Sequence, residues 1–145
     1  MTALLEEIAL EVSLYETQIA GLLRDHAPPG CRLAFEPDLK QWQAQFDLKD
    51  DDDFRAGVSG IAGPGNYPLI VLLNPLTYEA RRSAIDYVES HGFPHQAAQL
   101  EKPLLFLEHL VLHECAHLLP GELLEYDCDL WAFERLRGVI VEVAR

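Results

Sequence analysis

Basic residues are scarce in this chain. Against 24 Asp and Glu stand only 11 Lys and Arg, a net charge of −13 over 145 residues. Such a surface repels phosphate backbones, so nucleic acid is not an expected partner. Cysteine is scarce as well. Cys31, Cys115 and Cys128 are scattered and odd in number, which argues against a disulfide framework and for a reducing, cytoplasmic compartment. No apolar run is long and charge-free enough to span a bilayer, and no membrane partner is expected. The opening stretch MTALLEEIALEVSLYE carries acids where a secretory leader carries positive charge. Repeats and low-complexity tracts are missing too, so the expectation is one domain over residues 1–145.

What is present is apolar material in clear periods. Hydrophobic residues make up 49% of the chain, ample for one core. Leu4, Leu5, Ile8, Val12, Tyr15, Ile19 and Leu22 recur near the helical period, predicting a helix over 3–25 that ends at Pro28-Pro29-Gly30. CRLAFEP offers a short strand. KQWQAQFDL alternates polar and apolar residues, the pattern of a half-buried strand. The charged KDDDDFRAG reads as a loop; its Asp50 to Asp53 lack the regular oxygen-ligand spacing of a calcium hand. AGVSGIAG and YPLIVLLN read as two more strands around a GPGN turn, the second apolar enough to be covered on both faces. Thr77 is placed to cap a helix over about 78–90, and FPHQAAQLEKP reads as a linker. Pro103 suits the first turn of a central helix over 102–118, which Pro120-Gly121 breaks; a last helix runs from about Glu122 to Arg137. Arg81 and Arg82 read as surface charges.

The central helix carries the chemistry. His113-Glu114-Cys115-Ala116-His117 reads H-E-x-x-H within LLFLEHLVLHECAHLL. Residues four apart share a helix face, so both imidazoles can address one ion, with Glu114 beside them to polarise a water. Catalytic zinc takes three protein ligands and keeps one position open. The Pro120-Gly121 break lets the chain reverse, which brings Glu125 forward as third ligand, with Glu122 as the alternative. Asp129 follows Glu125 by four residues and can accept the N–H of a ligand histidine, fixing its tautomer. A histidine on an apolar helix is ordinarily a satisfied core residue. Burying two histidines with Glu114, Glu125 and Asp129 is costly unless they pair or bind metal. Other candidates carry less. His109, one turn before His113, reads as a partly exposed helix residue, and Cys115, off the two-histidine face, as core. Cys128 can in principle bind zinc, and Tyr126 or His95 can in principle stabilise an oxyanion.

These residues resemble the zincin metallopeptidases of gluzincin type, in which H-E-x-x-H is followed by a ligand Glu and an Asp four residues later. EYDCDLWAFERL is similar to their E-x-x-A-D-x-x-A helix, with Cys128 at the small-residue position. GIAGPGNYPLIVLLNPLT, a helix, and then LEHLVLHECAHLL is similar to the order in SprT-like and ImmA/IrrE-like proteins. The match covers about residues 56–135. Pro120 and the lack of a later histidine set the chain apart from metzincins. Only seven residues separate His117 from Glu125, so the resemblance implies a compact form.

The resemblance implies an α+β fold. It has a small, mostly antiparallel sheet of about four strands on the active-site helix, an N-terminal helix, and a C-terminal helix carrying the third ligand. It implies a zinc metallopeptidase with His113, His117 and Glu125 as ligands, Asp129 behind them, and Glu114 as general base for a zinc-activated water. The substrate would be a protein or peptide, bound by strand addition. An inactive or highly specialised relative that acts by binding a protein partner, as regulator or inhibitor, is the alternative.

Overall fold

A computed structural model describes residues 10–37, 56–62, 67–119 and 124–136. A 3-10 turn, Val12–Tyr15, leads into α1, Glu16–His26. Three strands follow: β1, Arg32–Glu36; β2, Ala56–Ala62; and β3, Tyr67–Leu73. Four helices complete the order: α2, Tyr78–Ser90; α3, Pro94–Gln99; α4, Pro103–His117; and α5, Glu125–Arg135.

The mostly antiparallel four-stranded sheet expected from the sequence is overturned. Helices dominate the described residues, and among those residues the sheet has three strands in the order β1-β3-β2. β1 runs parallel to β3, with Arg32 opposite Leu69, and β2 runs antiparallel, with Val58 opposite Ile70. The reason lies in what alternation encodes. It reports which face of a strand is buried, not which way its neighbour runs. The alternating 41–48 segment lies outside the described residues.

β3 is central because its sequence is apolar throughout: Leu69, Ile70, Val71 and Leu72 are all buried. α4 occupies the other half of the core. Phe106, Leu107, Leu110, Val111, Leu112, Cys115 and Ala116 cover nearly its whole circumference, and α1, α5 and the sheet pack around it. Such an all-round apolar helix is what a central position demands. No helix among the described residues is long and apolar enough to cross a membrane.

Local chemistry explains most boundaries. Thr77 caps α2 as expected, its hydroxyl accepting from the Ala80 N–H at 3.1 Å. Of the helix expected over 3–25, residues 3–9 lie outside the described residues, and within those described the α-helix starts only at Glu16. Leu10 exchanges backbone hydrogen bonds with Leu76, and Asn74 Oδ1 accepts from the Val12 N–H at 2.8 Å, so this stretch is tied to the end of β3. Residues 94–99 form a helix rather than a linker, because Pro94 fits a first turn and Gln96 and Ala97 have a core to face. Arg81 is buried rather than a surface charge, while Arg82 is at the surface. Gly92 has φ +115° and its Cα faces the Tyr126 ring. An added Cβ would lie 3.0 Å from Tyr126 Cε2, so both backbone and space require glycine there.

Candidate metal centre

His109, His113 and His117 lie at successive four-residue steps on α4. Four residues advance a helix slightly more than one turn, so the three rings form a slowly turning ladder. Ring centroids are 6.1 Å apart for His109 and His113 and 4.8 Å for His113 and His117. Burial falls along the ladder: His109 is buried, while His113 and His117 are half-buried.

α5 packs across this ladder and presents Asp129. Its carboxylate is almost fully buried, and one oxygen serves two rings. Oδ1 lies 2.8 Å from His113 Nδ1 and 3.1 Å from His109 Nε2. Burial alone would raise this carboxyl. The hydrogen bonds from His109 and His113, with their charge, outweigh it and hold the group down at about 2. Asp129 is thus an anion at neutral pH, and His113 must present Nδ1–H to it. That tautomer leaves the lone pair of His113 on Nε2.

The second contact concerns the two histidines of the motif. His113 Nε2 and His117 Nε2 face each other at 3.1 Å. Two ligands on tetrahedral zinc, each about 2.0–2.1 Å from the ion, stand roughly 3.3 Å apart. The nitrogen pair is within a few tenths of an ångström of that spacing. In the metal-free protein a proton between the two nitrogens satisfies the pair, and at this spacing a metal ion can take its place, so the donor set fits a metal ion.

On the other side of His117, Nδ1 lies 3.7 Å from Cys128 Sγ. Cys128 is fully buried on α5, immediately before Asp129. The ligand atoms of His113, His117 and Cys128 lie within 4.8 Å of one another, as do those of His109, His113 and Asp129.

The structure brings three expected groups together: His113 and His117 converge, and Asp129 meets His113. Glu114 is buried on the same helix. Glu125 is the first residue of α5 rather than a turn inside it; its side chain, and all of Glu122, lie outside the described residues. Asp127 caps α5, accepting the Leu124 N–H at 3.3 Å. Tyr126 is half exposed and stacks on Phe93, with ring centroids 4.9 Å apart; His95 is exposed on α3. Cys115 is in the core, where burial first, then the nearby Cys31 and Glu114, pushes its thiol up to about 12.

Sequence reasoning undervalued His109. It is buried, not partly exposed, with its ring stacked on Phe133 at 4.4 Å and its Nε2 on Asp129. The available signal was its four-residue step from His113. Compared with known proteins, the chain matches no family model, no curated protein and no solved structure.

Proposed function

We propose that this protein is a zinc-dependent metallopeptidase. The observation that supports the reading most strongly is the pair of Nε2 atoms at 3.1 Å, one of them aimed by a buried, ionised Asp129 through Nδ1 of the same ring. In this reading His113, His117 and Glu125 hold the metal, with Glu122 as the alternative third ligand. Zinc in that position would supply a Lewis acid for the scissile carbonyl and lower the pKa of a water.

The chain's own residues carry the rest. Asp129 keeps His113 in the Nδ1–H tautomer and its ring in one orientation. Glu114 takes the proton from the attacking water and delivers it to the leaving amine nitrogen. β2, an edge of the sheet among the described residues, is the strand on which an extended substrate would pair.

The test is Glu114→Gln. That variant should keep zinc at the wild-type stoichiometry while hydrolysis of an unfolded protein falls by roughly 10²–10⁴-fold. Undiminished cleavage would reject the assignment of the base. Zinc content of His113→Ala, Glu125→Ala and Glu122→Ala then identifies the ligands. Loss in the first two with retention in the third is the expected pattern.

A further inference from the structure

Two consecutive residues of α5 face two histidines of α4. Asp129 Oδ1 lies 2.8 Å from Nδ1 of His113, and Cys128 Sγ lies 3.7 Å from Nδ1 of His117. The two contacts are alike in position. Each reaches the ring nitrogen on the far side from the Nε2 pair. The longer of them is an ordinary length for sulfur, which is larger than oxygen and a weaker acceptor.

We propose that Cys128 is a positioning residue for His117, as Asp129 is for His113. With a metal in place of the proton between the two rings, His117 Nδ1–H donates to Cys128 Sγ, which favours the tautomer whose lone pair is on Nε2. Residues 128 and 129 together then aim both Nε2 atoms at one point. This rests on the reading of that point as a metal centre.

The packing makes the role specific. Cys128 is fully buried between α5 and α4, where water cannot replace it as an acceptor. A smaller residue would leave His117 Nδ1 facing a gap. An alanine also cannot accept a hydrogen bond, whereas a serine hydroxyl can. An outer contact of this sort typically changes metal affinity by roughly 10–100-fold.

The experiment compares wild type, Cys128→Ala and Cys128→Ser, and its probes are zinc alone and cobalt alone. Zinc affinity is measured by competition with a chelator. The Nδ1–H groups of His113 and His117 in the zinc-loaded proteins are read by long-range ¹H–¹⁵N correlation. Cys128→Ala should weaken zinc by roughly 10–100-fold and shift the Nδ1–H resonance of His117 but not that of His113. Cys128→Ser should restore most of both. Unchanged affinity and an unchanged His117 Nδ1–H resonance in Cys128→Ala would overturn the proposal. So would a sulfur-to-cobalt charge-transfer band in the cobalt-loaded wild type that disappears in Cys128→Ala, since that places the sulfur on the metal itself.

The two readings fail separately. Wild type that binds neither zinc nor cobalt rejects the metal centre and, with it, the purpose of the contact. Stoichiometric zinc with His117 bound through Nδ1 in the zinc-loaded protein rejects Cys128 as acceptor and leaves the metal centre standing. Should Cys128→Ala fail to fold, Cys128→Ser decides: near wild-type zinc affinity with a hydrogen-bonded His117 Nδ1–H in that variant supports the role, and loss of either overturns it.

Discussion

Two charged triads of similar geometry sit in very different surroundings. Asp129 meets His113 and His109 at 2.8 and 3.1 Å; Arg82 meets Glu101 and Asp86 at 2.6 and 3.2 Å. By distance alone the surface triad is the equal of the buried one. Side-chain exposure separates them: 4% for Asp129 and 12% for His113, against 33% for Arg82 and 64% for Asp86. Water and salt screen the second set and scarcely reach the first. Burial, not bond length, decides which triad can hold a fixed geometry.

The largest expected effect comes from removing the hub of the buried triad. Asp129→Ala strands buried donors of two histidines and should cost about 1–3 kcal/mol in the metal-free protein, measured by urea denaturation. It should also weaken zinc, because His113 loses the acceptor that fixes its tautomer. Asp129→Asn keeps an oxygen for both rings but removes the charge, so its loss should be smaller. Equal losses in the two variants would show that charge is the dominant part.

Acid should reveal the same group without mutation. The Asp129 carboxyl is held at about 2, below its ordinary 3.8, so the folded state favours its anion. Its contribution is therefore present in full above the ordinary value and lost as pH falls from 3.8 towards about 2. The gap is worth about 2 kcal/mol. The stability advantage of metal-free wild type over Asp129→Asn should shrink through that window. An advantage that stays constant down to the bottom of the window would contradict the assignment.

Gly92→Ala should cost about 1–2 kcal/mol, from a φ of +115° and the Tyr126 ring 3.0 Å from the new Cβ. Thermal melting would register it, and zinc affinity should hardly change, which separates fold damage from site damage. Arg82→Ala should have the smallest effect. Its pairs are exposed, so roughly 0–1 kcal/mol is expected, vanishing at high salt. A larger, salt-insensitive loss would erase the contrast between the triads.

The elements of this fold were legible where one local signal was sufficient. Thr77 fixed the start of α2, Pro103 that of α4, and the runs 56–62 and 67–73 were apolar enough to read as strands. They were illegible where distant residues intervened. The early helix yields to a bridge between Leu10 and Leu76, 66 positions apart in sequence, which no local period encodes. Residues 94–99 looked like a linker because six residues are too few for a helical period to stand out.

The site divides in the same way. The sequence by itself determined that His113 and His117 share a face, because helix geometry fixes the angle between residues four apart. It also placed Glu114 beside them and Asp129 on the following helix. Only the tertiary structure decided that β3 has one parallel and one antiparallel neighbour, that His109 is buried against Phe133, and that Cys128 and Asp129 each address a different ring. The physical reason is that angles within a helix follow from backbone repeat. Contacts between helices follow from how the turn after His117 closes and how the side chains of α4 and α5 pack once it has.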